Sequence, residues 1–374
     1  MPRLSLPPIE RIPGGRTFAA LSRRVRTLIV AGVLFVVLFI LALVMPVPYV
    51  VLSPGPTYNT LGIDPRSTSG DQVVVLEGKK PNKTSGHLNM TTVSEQDNSV
   101  SAFQALIGWL RSDRIVLPRA AVIPPGTSQQ QQNQQNASDF AVSQDSATVA
   151  ALCELGYPKA FGVVSVVPDG PSHGILQVGD QLVSVDGAPT GSESALLNVL
   201  AGIAPGTSVP VVVKRQGKTA TLQVKVGKPP AVKGQAAKRG GYLGISPSNT
   251  CLAPFSVSIH LEDIGGPSAG LMFALAIIDK AGPDDLTKGR FIAGTGEIDP
   301  SDPEKGAVDP IGGIALKMIA ARDEGATVFL APAGNCSTVR QATPSGLKVI
   351  KVSTVRGAVQ DLLKLQKGEP VPSC

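Results

Sequence analysis

Hydrophobic and polar positions divide this chain into stretches of different period. Residues 28–45, LIVAGVLFVVLFILALVM, run for eighteen residues without a charge, which predicts a helix that is apolar on every side. Residues 50–125 mix short strand-like runs (DQVVVLEG, GHLNMTTV) with turn residues and one helical stretch, SVSAFQALIGWL. Residues 128–138, SQQQQNQQNAS, show no apolar period, and such polar low complexity predicts a flexible loop. A helix is expected from Ser143 to about Leu155, with a serine at its N-cap. Residues 156–228 read as strand, turn, short helix and strand, then a second helix, then two alternating strands, VPVVVKRQ and TATLQVKVG, turning at Gly217. Residues 229–240 have the composition of a linker. From residue 241 onward strand-like runs (FSVSIHL, RFIAGTGEI, TVFLAP, LKVIKV) alternate with helical ones (PSAGLMFALAIIDK, GGIALKMIAARDEG, TVRGAVQDLLKLQ). That alternation predicts an α/β fold.

Charge placement sharpens the reading of the N-terminus. Of 34 basic residues six are arginines within residues 1–27, and of 28 acidic residues only Glu10 lies there. The remaining chain is close to neutral, so the basic balance gives no support for a nucleic-acid surface. An arginine-rich tail before an apolar span of this length predicts a transmembrane signal anchor over residues 28–48, with residues 1–27 in the cytoplasm and the rest outside it. The stretch MPVPYVVLSPG that follows has no Ala-x-Ala-like cleavage site, which argues against a removed signal peptide. Four cysteines (Cys153, Cys251, Cys336, Cys374) without C-x-x-C spacing or a histidine cluster predict no metal site and allow up to two disulfides in an oxidising compartment. Sequence leaves their connectivity open; a bridge between Cys336 and Cys374, tying the C-terminus to the last domain, is the pairing favoured.

Candidate chemistry concentrates in DIGGPSAGLMFAL, residues 263–275. There a strand-like run ends in Gly265, Gly266 and Pro267, and Ser268 stands where a helix begins. A serine hydroxyl needs an adjacent base to act as a nucleophile. Free N–H groups at a helix start can stabilise a developing oxyanion, and small neighbours (Gly265, Gly266, Ala269, Gly270) let a substrate backbone come close. The base candidate is Lys317, set among Ile314, Ala315, Leu316, Met318, Ile319 and Ala320. Burial disfavours an ammonium and lowers its pKa, and a neutral amine can serve as a general base. The alternatives are a serine that merely caps a helix and a lysine that reaches back to solvent. His260 alternates onto the outer face of its strand with Ser256 and Ser258, while His87 and His173 have no triad context.

Two stretches carry family resemblances. Gly162–Val167, the G-P-S…G-I-L turn at 170–176 and G-D-Q-L-V-S-V-D-G at 179–187 make residues 143–228 resemble a PDZ domain of the kind found on bacterial envelope proteases. That resemblance implies capture of a peptide C-terminus by strand addition, with Phe161, Gly162 and Val163 on the binding strand. G-P-S-A-G at 266–270, T-G-E-I at 295–298 and P-I-G-G-I-x-x-K-x-x-A-A-x-x-x-G-A at 310–326 resemble the proteolytic domain of Lon. With the anchor and the PDZ-like module, the whole resembles the membrane-anchored, PDZ-containing Lon-like serine peptidases of bacteria.

The resemblance implies a Lon-like α/β (α+β) catalytic domain, residues 241–374, completed by part of residues 49–142. It further implies Ser268 as nucleophile, Lys317 as general base and Thr295 as the hydroxyl that orients the lysine. Polypeptide substrates in unfolded or extended form, no cofactor, and self-assembly into a hexameric ring are implied as well. No G-x-x-x-x-G-K-[ST] occurs, so this chain brings no P-loop ATPase to the reaction. The position three before the serine, commonly acidic in Lon, is Gly265, and Ala315-Leu316 replaces the usual Lys-Glu before the lysine. Lys317 is therefore the one lysine in its motif. Two other functions fit the same residues: a non-catalytic peptide-binding scaffold, and a Ser-Lys amidase acting on a non-protein envelope substrate.

Overall fold

The computed structural model describes residues 22–67, 70–96, 100–124, 126–230, 240–261 and 264–374. Most of the basic tail, the core of the 229–240 linker and Asp263 therefore lie outside the described residues. Helix α1 (Arg23–Val44) covers the apolar run and is capped by Ser22, whose side chain accepts from the Val25 N–H. It is long and apolar enough to cross a membrane, and none of its span is buried against the rest of the chain. Strands β1 (Tyr49–Asn59), β2 (Val74–Glu77) and β3 (His87–Gln96) follow, then helix α2 (Ala102–Leu110), β4 (Ile115–Pro118) and the single turn α3 (Arg119–Val122).

The stretch expected to be a loop at 128–138 is instead the first half of α4 (Gln129–Glu154), a helix of 26 residues. Glutamine is a good helix former, and the Ser128 side chain and Gln131 form a reciprocal capping box at its start. Gln129, Gln132 and Gln135 each donate a side-chain hydrogen bond to the residue four further on, Asn133, Asn136 and Asp139. The absence of an apolar stripe reflects exposure of this half and says nothing against a helix. The second half is apolar where it matters: Phe140, Ala147, Ala150 and Ala151 enter the main core.

The module that follows is a sheet in the order β10-β5-β6-β8-β9. It comprises β5 (Lys159–Val166), β6 (Gln181–Val185), β7 (Ala188–Pro189, beside β6), helix α5 (Glu193–Ala201), β8 (Ser208–Arg215), β9 (Lys218–Lys225) and β10 (Ile245–Cys251). Its own core contains Val163, Leu182, Val211, Val213 and Val224 on the strands and Leu196 and Leu200 on α5. Arg215 grips the buried Asp180 carboxylate through two hydrogen bonds of 2.7 Å, a bidentate pair that locks the Gly179-Asp180 turn. Strand β10 was grouped by sequence with the last domain. It pairs with β5 along its whole length and belongs to this sheet. The helix that runs through Ser143 packs into the neighbouring core and also meets β5 and β10 of this module.

The remaining elements are β11 (Ser256–Ile259, paired with β2), α6 (Gly270–Ala281), β12 (Phe291–Gly294), the short pair β13 (Glu297–Ile298) and β14 (Val308–Asp309), and α7 (Ile314–Asp323). Strand β15 (Val328–Pro332), α8 (Cys336–Ala342), β16 (Lys348–Val352) and α9 (Val355–Gln366) complete the chain. A six-stranded mixed sheet in the order β16-β15-β12-β3-β1-β4 unites residues from both sides of the inserted module. Its side chains alternate between two cores. Ile292, Val328 and Leu330 pack with α6 and α9 on one face, while Ala293, Phe329 and Ala331 pack with Ile314 and Met318 of α7 on the other. Period-two alternation with both faces covered makes a three-layer α/β/α arrangement. Disulfides join Cys153 to Cys251 and Cys336 to Cys374.

Candidate active site

Helices α6 and α7 lie on opposite faces of the sheet, so their side chains can meet only beyond the end of a strand. Strand β12 provides that end: it stops at Gly294, and Thr295 is the next residue. A Cβ at Gly294 would stand 2.7 Å from Met272 Sδ and 2.9 Å from Leu330 Cβ. Glycine here lets α6 and β15 close on the strand terminus. Gly313, the N-cap of α7, has φ +68, a left-handed conformation that suits glycine.

At this junction the Lys317 Nζ lies 2.6 Å from Ser268 Oγ and 2.9 Å from Thr295 Oγ1. The Thr295 hydroxyl donates to the Ser268 carbonyl oxygen at 2.9 Å, so its lone pairs are left to accept from the lysine. Lys317 is 3 % exposed and Thr295 1 %. Burial drives the Lys317 pKa down to about 7, because a desolvated ammonium loses hydration that no carboxylate among the described residues replaces. At neutral pH a large share of the amine is therefore unprotonated. It then has two N–H bonds, one of which reaches Thr295, and one lone pair for the Ser268 hydroxyl proton.

Ser268 is not the helix cap. The N-cap of α6 is Ala269, and no side chain caps it. The turn is instead held by α4, which sequence had not associated with the site. Ser143 Oγ donates to the Pro267 carbonyl at 2.8 Å, and the Asn136 carbonyl accepts from the Gly266 N–H at 2.9 Å. The glycines divide into two roles. A Cβ at Gly265 would collide with Asn136 Cβ at 2.6 Å, and one at Gly270 would press on Ile298 and Ser143 Oγ, whereas Gly266, at φ +85, faces open space. Gly265 and Gly270 thus admit α4 and β13, and Gly266 is the position open toward a ligand.

Asn335 is a further residue that sequence reasoning missed. Its side-chain amide accepts from the Ile311 N–H and donates to the Ile311 carbonyl, both at 2.9 Å. This fixes the turn leading to Gly312 and Gly313. His260 is solvent-exposed, and His87 stacks on Phe291; neither meets Ser268.

A cleft of about 570 Å³ opens over the pair, lined by Thr92, Val93, Ile264, Gly266, Ser268 and Lys317 among others. Strand β12 pairs with β3 only from His87 to Met90. Beyond Met90, among the described residues, no strand pairs with β3 on that side, and Thr92 and Val93 turn that edge toward the cleft.

Phe161, Gly162 and Val163 do not form an open binding strand. Strand β5 is flanked by β10 and by β6, and Gly162 pairs with Ser248 on one side and Gln181 on the other. At Gly162 its backbone is paired on both sides. The edges of this sheet are β10, beside β5, and β9.

Ser143 yields a measurable consequence. In Ser143→Ala the Pro267 carbonyl loses a partly buried donor, which is expected to cost roughly 1–2 kcal/mol. The thermal midpoint should fall by a few degrees. Any activity at Ser268 should fall further than this loss of folded protein explains, because the turn moves with the carbonyl.

Residues 254–365 match the family model of the Lon protease C-terminal proteolytic domain, and residues 133–226 match that of the PDZ domain. The chain thus combines a Lon-type proteolytic domain with a PDZ domain, in a mixed α/β structure that carries one N-terminal apolar helix.

Among curated proteins it is similar to a probable periplasmic serine endoprotease DegP-like of Pseudomonas fulva, 40 % identical over 84 residues, covering 22 % of this chain and 18 % of that one. It is also similar to the serine endoprotease DegS of Escherichia coli, 40 % identical over 79 residues, covering 20 % and 22 %. The chain thus spans about a fifth of the length of these relatives. Among solved structures, the PDZ domain of the SdrC-like protein of Listeria monocytogenes aligns at 22 % identity with a TM-score of 0.21. That alignment covers 24 % of this chain and 86 % of that one.

Proposed function

We propose that this chain is a membrane-anchored serine endopeptidase that cleaves extended polypeptide segments outside the cytoplasm without help from ATP. Ser268 is the nucleophile, Lys317 the general base and Thr295 the hydroxyl that orients the amine. The observation that carries the reading is the 2.6 Å approach of a buried lysine amine to Ser268 Oγ.

Lys317 accepts the Ser268 hydroxyl proton as Oγ attacks the scissile carbonyl carbon. The oxyanion that forms lies toward the backbone N–H groups of Ser268 and Ala269, which make no hydrogen bond within the described residues. The protonated amine then gives its proton to the leaving nitrogen, the C–N bond breaks and an ester remains on Ser268. Water, losing a proton to Lys317, attacks the ester. The carboxyl product leaves, and Ser268 Oγ recovers the proton. An extended substrate suits the open side of β3 beyond Met90, where strand addition would carry its scissile bond past Ser268.

The reading is tested with casein, in the absence of ATP, using the parent protein beside Ser268→Ala and Lys317→Ala. Cleavage by the parent alone supports it; cleavage surviving in both variants refutes the dyad; a parent that cleaves no unfolded protein favours the scaffold reading.

The PDZ domain is assigned to peptide binding at β10, the edge strand, in place of the enclosed β5. A bound C-terminal peptide is expected to slow amide exchange across Ile245–Cys251 and to leave β5 unchanged. Protection that appears on β9, the opposite edge, would refute this placement.

A further inference from the structure

Helix α2 inverts the usual arrangement of a helix on a soluble domain. Its inward face is built of small residues: Ala105 is buried, and a Cβ on Gly108 would stand 2.6 Å from Val116 Cγ2. Its large apolar residues point outward, with Leu106 50 %, Trp109 58 % and Leu110 74 % exposed. No charge occurs from Val100 to Leu110. The one polar side chain within the helix, Gln104, is engaged in the capping box with Ser101. Water is a poor medium for such a face, which at this size marks an interaction surface.

Its position says what covers it. The N-cap Ser101 bridges to Pro46, Val47 donates to the Val100 carbonyl and Ala102 donates to the Met45 carbonyl. Helix α2 therefore starts where α1 ends. It then runs beside α1, with the Phe103 ring meeting that of Phe39 edge-on at 5.7 Å. Phe39 lies six residues before Met45, about 9 Å back along the helix axis. If the apolar part of α1 is in hydrocarbon, Phe103 is in it too. Tyr49 and Trp109 stack edge-on at 5.6 Å just past the end of α1, and tyrosine and tryptophan favour the interfacial layer. The Arg119 N–H bonds to the Pro48 carbonyl, which brings a cation to headgroup level.

We propose that α2 is a second membrane contact, inserting Phe103, Leu106, Trp109 and Leu110 into the interfacial layer of the outer leaflet beside α1. This rests on the reading of α1 as a membrane anchor. Two contacts, unlike one, fix the orientation of the catalytic domain on the bilayer: β1, which carries one side of the cleft, begins at Tyr49 between them. The partner is lipid rather than protein because the face continues, without a polar break, the apolar surface of α1.

Trp109 is the only tryptophan of the chain, so its fluorescence reports this face directly. The full chain is reconstituted into phosphatidylcholine–phosphatidylglycerol vesicles and floated on a density gradient. The lipids carry bromine either near the headgroup or near the chain ends. Trp109 should lose about half or more of its emission to the shallow quencher and less to the deep one, as a helix lying in the interface requires. The Leu106→Glu/Leu110→Glu variant should still float, through α1, but show red-shifted emission with little quenching. A floating parent whose Trp109 is unquenched overturns the proposal, whether the residue faces water or a protein partner that shields it. A parent that does not float overturns the anchor reading first, and this inference with it.

Discussion

Lys317→Met is expected to abolish peptide hydrolysis while leaving the protein as stable as the parent or more so. Among the described residues this buried amine has no carboxylate partner, and burial lowers its pKa. An unbranched thioether of similar length fills the same space without that desolvation cost. Loss of the base removes the group placed 2.6 Å from Ser268 Oγ to take its proton, and the rate should drop by about 10⁴-fold or more. Lys317→Arg makes the sharper test. It restores a cation, but a guanidinium does not deprotonate, so it should be as inactive as the methionine variant. Casein cleavage and a thermal melt on both variants check the pair of statements. Substantial activity in Lys317→Arg would mean that the residue acts through charge and not as a base.

The second large effect is on the fold. Phe273 is fully buried in the first turn of α6, and its ring meets Phe140 of α4 edge-on at 5.7 Å. Phe273→Ala removes most of a large side chain from a close-packed core and should cost about 3–5 kcal/mol. For a unit of this size that is a fall of roughly 10 °C in the thermal midpoint. Phe273→Leu, which keeps most of the volume, should cost less than about 1.5 kcal/mol. The alanine variant also weakens the seam between α4 and α6, where Ser143 and Asn136 hold the Ser268 turn. Its residual activity at low temperature should therefore fall more than that of the leucine variant. Equal activity in the two folded variants would show that α4 does not position the turn.

The three groups at the junction were legible because each sits in a short motif whose glycines announce a special backbone. Gly266 precedes Ser268, Gly294 precedes Thr295 and Gly313 opens the helix of Lys317. What brings these motifs together is a strand end between two helical layers, and that is non-local. Periodicity found the strands and helices of the last domain because both faces of its sheet are covered and every element has an apolar side. It failed on α4, whose first half has no apolar side to show. The signal available there was local chemistry, Ser128 with Gln131, and composition overrode it. It failed also on β10: ISPSNTC has neither alternation nor β-branched density, and only pairing with β5 makes it a strand. The pairing of Cys153 with Cys251, separated by 98 residues, likewise depends on how α4 and β10 come together.

The central claim is that a neutral Lys317 activates Ser268, and the pH dependence of kcat/KM tests it most directly. Only the deprotonated amine can accept the proton, and burial lowers its pKa to about 7. The rate should therefore rise roughly tenfold per unit below that value and level off above it. The same shift makes stability rise between pH 7 and the ordinary lysine range near 10.5, because there the unfolded chain binds a proton that the folded one does not. A plateau reached by about pH 8 is the predicted result. A rate that is flat through neutrality, or that keeps climbing until pH 10, would contradict a buried neutral lysine as the base.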